Sequence, residues 1–513
     1  MSGTLTQAPT RSTSHRATAN GTSFSDHLTH IPHAPRGTTP NLLRAAAAAA
    51  GVLALIAAVV LSGAASGARS QISTVENTDA PSVRATDDFL FQLQDMDAQL
   101  VNALLVNGDS TVTVPRGTSE GLYDRDRKAA DGDLETATAA LAGNQSALDQ
   151  LHAVSDAYGE YQAQAARTFA DDERDGGTVA GAAPISVFLD YQNDHMLLFG
   201  GSDDTGGLMK AATDLEAASK SAISASASST TGALNSVLAE FLIFGALLVG
   251  VLLALQVLLF RRFHRVLNPV LAAATAVALV FMIGGAVGAA GAAEDFHTAK
   301  SDAFDSVLAL SEANATSAGI NSDESRWLLA RNYPVQREEF VQSFYRGENA
   351  IADVPAKNDP ASYAAALNQE LGTRTVDTLA QTPMTQNSSF GKEFANITFP
   401  NEAQEALTAF TAYTTYIQDD SQLRAMAMDT PAEMKAAIDF DTNADSPGSS
   451  DQAFNAYSKA LGNVIALNES HFESAMPAAK NGIGTWTWLP YVLSLLLIGL
   501  TVLGLRPRLT EYR

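Results

Sequence analysis

Two short stretches carry the residue types best suited to recognition chemistry. The first is RRFHR (261–265), which concentrates cations in a chain whose formal net charge is −24. Its candidate contact residues are Arg261, Arg262, His264 and Arg265. An apolar run lies on either side, so these cations occupy the short gap between two hydrophobic segments.

The second stretch, residues 321–349, places arginines among aromatic residues in acidic surroundings. Its candidates for a partner surface are Arg326, Trp327, Arg331, Tyr333, Arg337 and Arg346. Arginine and aromatic residues are enriched where proteins meet and where carboxylates bind. Two interpretations stay open: a surface for a partner, or an intramolecular arrangement with aromatic residues in the core and arginines paired with nearby acids.

No catalytic constellation stands out elsewhere. The sequence has no phosphate-cradling glycine loop, no HExxH metal motif and no HRD…DFG kinase set. It has no cysteine, which excludes disulfides, thiolate metal sites and a cysteine nucleophile. We therefore expect a protein that is not an enzyme, with no metal, no cofactor and no nucleic-acid partner.

Four apolar runs have the roughly 20 residues needed to cross a bilayer. They are predicted at 42–65, 237–260, 267–291 and 487–505. The first is alanine-rich and could be a cleaved signal peptide, but the long segment before it favours an uncleaved anchor. The lipid bilayer is therefore the first expected partner.

Charge predicts the orientation of these runs. Two acidic regions separate them, and we name them region 1 (66–236) and region 2 (292–486). Cations outside these regions cluster beside the ends of the apolar runs, above all at 261–265 and 506–513. Lysine and arginine in short loops stay on the cytoplasmic side. We expect a plasma-membrane protein with cytoplasmic termini, a cytoplasmic turn at 261–266 and extracytoplasmic regions 1 and 2.

Both regions have helical patterns. In region 1, apolar residues recur at spacings of three and four on one helical face: Phe89, Leu93, Met96, Leu100 and Leu104. Region 2 shows helical stretches near 294–332, 335–346, 360–371, 402–427, 431–439 and 450–479, whereas 387–402 reads as a loop or short extended excursion. Asn268 followed by Pro269 is a cap and first-turn pair that starts the third span.

The predicted fold is an all-α membrane protein, with four transmembrane helices and two helical-bundle domains in a tandem span–ectodomain–span arrangement. Its predicted segments are a disordered tail (1–41), the first span (42–65), region 1 (66–236), the second span (237–260), a basic turn (261–266), the third span (267–291), region 2 (292–486), the fourth span (487–505) and a tail (506–513).

Four stretches resemble a known family: RRFHRVLNP, NSDESRWLLARN, ANITFP (395–400) and the terminal RLTEYR. They are similar to the actinobacterial four-span GlnX-like sensory membrane proteins. The resemblance implies a relay in which the outer regions meet a glutamine-binding lipoprotein and the spans report to a soluble Ser/Thr protein kinase. It implies no catalytic residues.

The expected function is a non-enzymatic sensor that couples an extracytoplasmic ligand or solute-binding protein to a cytosolic partner. The four cationic residues of the turn are candidates for the inner contact, although they could instead hold topology through anionic headgroups. A homo-oligomer is possible. The alternative function is a structural or envelope-assembly protein without ligand sensing. A transporter would need a polar pathway, which the nearly charge-free spans do not provide.

Overall fold

A computed structural model describes residues 38–141, 145–201, 206–263, 268–356, 359–381, 384–385 and 387–510. These residues form helices and no β-strand; Gly200 and Gly206 make one isolated bridge. The helices are α1 Thr38–Thr74, α2 Ala80–Val106, α3 Arg116–Leu141, α4 Gln145–Asp175, α5 Ile185–Phe199, α6 Leu208–Phe263, α7 Pro269–His297, α8 Asp305–Leu329, α9 Pro334–Ile351, α10 Pro360–Gly372, α11 Ser389–Asn396, α12 Glu402–Ala425, α13 Pro431–Thr442, α14 Ser450–Gly484 and α15 Leu489–Thr510.

Within the described part of the chain, four helical stretches are long and apolar enough to cross a membrane. They are Asn41–Val106, Leu208–Arg261, Pro269–Leu329 and Ser450–Pro507. About 20 residues suffice for the bilayer core, so each stretch continues well beyond it. The prediction of an all-helical, multi-pass membrane protein is confirmed. The predicted disordered tail lies outside the described residues, except that α1 already begins at Thr38.

The apolar parts of the four stretches form one bundle. Helix α1 contacts α6 and α15, and α7 contacts the same two helices, so the bundle closes as a ring. Asn268 caps α7 as predicted, because its side chain accepts hydrogen bonds from the backbone N–H groups of Val270 and Leu271. Its Nδ2 also donates to the carbonyl oxygen of Gly504 at 2.6 Å, which ties the start of α7 to α15.

A small-residue site in α7 explains part of this packing. A Cβ on Gly288 would lie 2.4 Å from Nε1 of Trp486, so only glycine lets the indole approach. Trp486 in turn packs edge-to-face on Phe241, with ring centroids 4.9 Å apart. Gly63 and Gly67 in α1 have the same spacing as Gly284 and Gly288, but no neighbouring atom lies within 4 Å of where their Cβ would be.

The two regions follow the same order of elements. In each, a span helix passes through a π-helical segment, Val75–Asp79 or Thr298–Phe304, into a further helix. Shorter helices follow, and a long helix returns to the bundle: α6 for region 1, and α14 leading into α15 for region 2. Between α2 and α6, the described residues of region 1 form the helices α3, α4 and α5.

The regions are joined along α2 and α8, which pack against each other. One hydrophobic core contains Leu93 and Leu104 of region 1 together with Leu328 and Ile438 of region 2. The structure therefore does not show two separate bundle domains in tandem. Residues 387–402 also differ from expectation: Ser388 caps α11 by accepting from Gly391 N, and this helix buries Phe390 and Phe394. The two aromatic side chains are four residues apart and point inward from the helix. The sequence had predicted a loop or short extended excursion here.

Candidate functional site

Six consecutive polar residues of α8 are buried, although a helix of a soluble domain normally exposes one face. They are Asn321, Ser322, Asp323, Glu324, Ser325 and Arg326. The helix contacts α2, α9, α13 and α14, so other helices cover it on every side. Buried polar groups need partners, because an unpaired one loses its hydration without compensation. We name this set the α8 polar segment.

Arg326 is the centre of the segment, with a side chain only 1% exposed. Its Nη2 lies 2.6 Å and its Nε 2.8 Å from Oδ2 of Asp97 on α2. Its Nη1 donates to Oδ1 of Asp323 at 2.6 Å. The Nε also lies 3.1 Å from the hydroxyl of Tyr191 on α5, and the guanidinium sits 4.5 Å from the ring centroid of Phe199. One arginine of region 2 therefore holds two helices of region 1.

The other side of the α8 polar segment faces α12, α13 and α14. Glu324 accepts from the hydroxyl of Ser450 at 2.7 Å, and Ser325 donates to Asp441 at 2.8 Å. Burial raises the pKa of Asp441 to about 7. The hydrogen bond from Ser325 and the nearby Arg424 cation oppose this rise, because both favour the charged carboxylate.

Helix α5 has two chemically different faces. Its inner face places Tyr191 against Arg326, and Asp194 accepts from the Thr168 hydroxyl at 2.5 Å. Burial raises the pKa of Asp194 to about 8. Burial, together with the nearby Arg326 cation, lowers the pKa of His195 to about 4, so this imidazole is neutral at physiological pH.

The outer face of α5 is apolar and exposed. Ile185, Leu189 and Met196 are each more than half exposed and share this face by their spacing of four and seven. Beside it, the Phe188 ring stacks on Tyr333 of region 2 at a centroid distance of 3.8 Å. We name Ile185, Leu189 and Met196, together with the adjoining residues 331–337 at the start of α9, the α5 surface.

Residues 71–226 match the family model described as an actinobacterial sensor domain. Region 1 matches a sensor domain. The matched segment runs from the end of α1 into α6 and contains Asp97, Tyr191 and Asp194. The match supports a sensor-type actinobacterial protein. No curated protein and no solved structure matches this chain.

Arg326 and Trp327 are buried because other helices enclose α8. Of the two interpretations, the intramolecular one fits these positions, and a role for the two residues at a partner surface stays a prediction. The ring centroid of Trp327 lies 3.9 Å from the guanidinium carbon of Arg337 and 5.1 Å from that of Arg424. Arg326 instead connects the sensor-domain segment to region 2.

The other candidates of this stretch reach the surface. Arg346 is exposed, and Arg331, Tyr333 and Arg337 are partly exposed. Burial, followed by the neighbouring cations Arg424 and Arg331, lowers the pKa of Arg337. In the described part of the chain, no ion pair to a carboxylate is found for Arg331, Arg337 or Arg346. Their role at a partner surface stays a prediction.

The cationic turn is only partly described. Arg261 ends the second span stretch and is exposed, and the backbone of Arg262 belongs to α6. His264 and Arg265 lie outside the described residues. Within the described ranges, no group of three or more histidine, aspartate or glutamate side chains is placed to hold a metal ion.

Sequence reasoning missed Asp97, Tyr191 and Arg424. Asp97 carried a signal, because it lies four residues after Leu93 and three before Leu100, on a face that is otherwise apolar. A carboxyl at such a position needs a buried cation, hydrogen-bond donors or a proton of its own. Nothing in the local sequence names that cation, since Arg326 is 229 positions away.

Proposed function

We propose that this chain is a non-enzymatic sensory membrane protein that relays the state of regions 1 and 2 through its four spans to a cytosolic partner. In this proposal the regions lie outside the cell, and the basic turn and both termini lie inside. The observation that carries it is the sensor-domain match of region 1, whose last helix, α6, runs unbroken from that segment into the second span.

The contacts of α5 supply a route for the signal. A partner that docks on the exposed face of α5 shifts the inner face, where the Tyr191 hydroxyl lies 3.1 Å from Arg326 Nε. Arg326 lies on α8, which continues through the π-helical segment into the third span. Packed helices pass on small shifts of this kind, provided that the partner binds the two states with different affinity.

The outer partner that this surface fits has apolar side chains accompanied by carboxylates. The apolar requirement comes from Ile185, Leu189 and Met196, and the acidic one from Arg331 and Arg337, which lie close together without a carboxylate partner in the described part of the chain. The family resemblance makes a solute-binding lipoprotein the proposed occupant. The same resemblance proposes a Ser/Thr protein kinase at the inner turn, with Arg261, Arg262, His264 and Arg265 as contacts.

Co-purification after crosslinking in native membranes tests both contacts. The wild-type chain is expected to recover a solute-binding lipoprotein and a cytosolic kinase. Leu189→Glu removes the apolar contact and should lose the lipoprotein while keeping the kinase. Gln150→Glu, at an exposed position on α4, serves as the matched control. Recovery of neither partner with the wild-type chain contradicts the relay.

A structural or envelope-assembly protein would share this topology but would not respond to a ligand. Hydrogen exchange of the purified chain, with and without candidate amino acids and the lipoprotein, separates the two functions. The relay predicts altered protection in α5 and α8, whereas unchanged exchange throughout both regions favours the structural alternative.

A further inference from the structure

A cleft of about 460 Å³ opens where the first and fourth spans leave the apolar bundle on the side of regions 1 and 2. Its lining comes from the end of α1, from the end of α14 and from the short turn before α15: Ser66, Arg69, Ser70, Ser73, Lys480 and Thr487. Four of these six side chains carry hydroxyl groups and the other two are cations. No apolar side chain lines it.

The depth of the cleft relative to the bilayer follows from its neighbours. Ser66 comes directly after the apolar run 42–65, and Thr487 stands at the start of the run 487–505. Trp488 and Tyr491, which follow at once, are exposed. Tryptophan and tyrosine concentrate at the headgroup level of membranes. The cleft therefore lies at the depth of the lipid headgroups.

The charge of the cleft is unusual for its surroundings. Regions 1 and 2 are both strongly acidic, yet the cleft has two cations and one acid beside it, Glu76, which accepts from Lys480 Nζ at 2.6 Å. No carboxylate pairs with Arg69 in the described residues. Its guanidinium lies against Gly484, where a built Cβ would be 3.7 Å from the guanidinium carbon. The cleft thus has an excess of one positive charge, which matches one singly charged phosphodiester.

A hydrophobic path leads to the cleft along α1. Val52, Ile56 and Val59 are exposed at spacings of four and three along α1. Ser66 follows Val59 by seven residues and Ser70 follows Ser66 by four, so all five residues share one helical face. Gly63 on the same face leaves open space. Acyl chains have room on this stripe while a headgroup reaches the cations and hydroxyls.

We propose that this cleft binds the phosphodiester headgroup of an anionic phospholipid. Arg69 and Lys480 pair with the phosphate oxygens, the serine and threonine hydroxyls donate to the same oxygens, and the acyl chains lie along α1. The bound lipid connects α1 to α14, two helices that otherwise belong to different regions. This inference stands independently of the relay.

Native mass spectrometry of the full chain in detergent, titrated with phosphatidylglycerol, phosphatidylcholine or inorganic phosphate, tests the proposal. Phosphatidylglycerol is expected to bind more tightly than phosphatidylcholine. Each of Arg69→Gln and Lys480→Gln should weaken phosphatidylglycerol binding about fivefold, because a cation near a membrane surface contributes about 1 kcal/mol. Arg167→Gln removes an exposed cation far from the spans and should leave binding unchanged.

A second variant guards against a fold defect. Ser70→Phe fills the cleft from an exposed position and leaves both cations in place, so it should also displace phosphatidylglycerol without lowering the Tm. Equal affinity of wild-type and Arg69→Gln/Lys480→Gln chains for phosphatidylglycerol would overturn the proposal. Binding of inorganic phosphate that depends on Arg69, without binding of phosphatidylglycerol, would assign the cleft to a free anion and overturn the lipid assignment.

Discussion

Regions 1 and 2 share one order of elements, yet they place their buried charges differently. Region 1 brings the carboxylate of Asp97 to Arg326 of α8, from an otherwise apolar helical face. Region 2 contributes the α8 polar segment, six consecutive polar residues enclosed by helices. Neither arrangement is complete alone, because Asp97 has its cation in region 2 and Arg326 has a carboxylate and a tyrosine in region 1.

This asymmetry teaches that a repeated architecture need not give two independent domains. The sensor-domain match ends within α6, before region 2 begins. A segment restricted to the match would leave Asp97 among leucines without a guanidinium. Buried ion pairs contribute little net stability. Removing one partner is costly, however, because the other charge stays buried without compensation, and this cost disfavours other pairings of the elements. We therefore expect the charges at this interface to specify the register of region 1 against region 2.

The largest expected effect comes from breaking that interface. Arg326→Ala leaves Asp97 and Asp323 buried without their cation and should lower the free energy of unfolding by about 3–5 kcal/mol. The measurement is thermal or denaturant unfolding of the full chain in detergent.

Arg331→Ala is the matched control, because it removes a partly exposed arginine only five positions further along the chain. Its effect should stay within about 0.5 kcal/mol. Equal effects of the two substitutions would mean that the interface does not depend on the buried ion pairs.

One buried carboxyl from each region should contribute to the pH dependence of the free energy of unfolding. Burial raises the pKa of Asp194 to about 8, and burial with the neighbouring Glu402 raises that of Glu393 to about 8. Between about pH 4 and pH 8 the folded chain holds protons that the unfolded chain releases. The free energy of unfolding therefore falls as pH rises through this window, by up to about 1.4 kcal/mol per pH unit for each group.

Asp194→Asn and Glu393→Gln should each flatten this slope, as measured by Tm in buffers from pH 4.5 to 8. Glu135→Gln, at an exposed site on α3, is expected to leave the slope unchanged. A response to only one of the two buried substitutions would show that the regions differ in their proton sensitivity as well as in their charge placement.

A smaller difference in stability is expected between a tyrosine at the interface and a tyrosine inside region 2. Tyr191→Phe removes the hydroxyl that contacts both Asp97 and Arg326, and it should cost about 1–3 kcal/mol because charged partners lose a hydrogen bond. Tyr457→Phe removes a hydroxyl whose neighbour is the Ser317 hydroxyl at 2.9 Å. Loss of this neutral hydrogen bond should lower the free energy of unfolding by only about 0.5–1.5 kcal/mol. A larger loss for Tyr457→Phe than for Tyr191→Phe would contradict the central role of Arg326.

Much of the fold follows from local sequence. The face formed by Phe89, Leu93, Met96, Leu100 and Leu104 is buried, as its spacing predicts. Asn268 and Pro269 start α7 because their capping chemistry acts within one turn. The four apolar runs could be predicted from their length and composition alone. All these signals are contained in a few neighbouring residues.

The site could not be predicted in the same way, because its contacts join distant positions. Arg326 and Trp327 have the composition of a binding surface, and only the packing around α8 shows that they are interior. The α5 surface required the fold to reveal which face of α5 was left uncovered.

The most direct test of the relay is the side of the membrane on which each part lies. The chain has no cysteine, so single cysteines placed at Gln150, Glu338 and His264 can be labelled without background. A membrane-impermeant maleimide applied to intact cells should label positions 150 and 338, and position 264 only after permeabilisation. Labelling of position 264 in intact cells, or protection of position 150 or 338, would contradict the placement on which the relay depends.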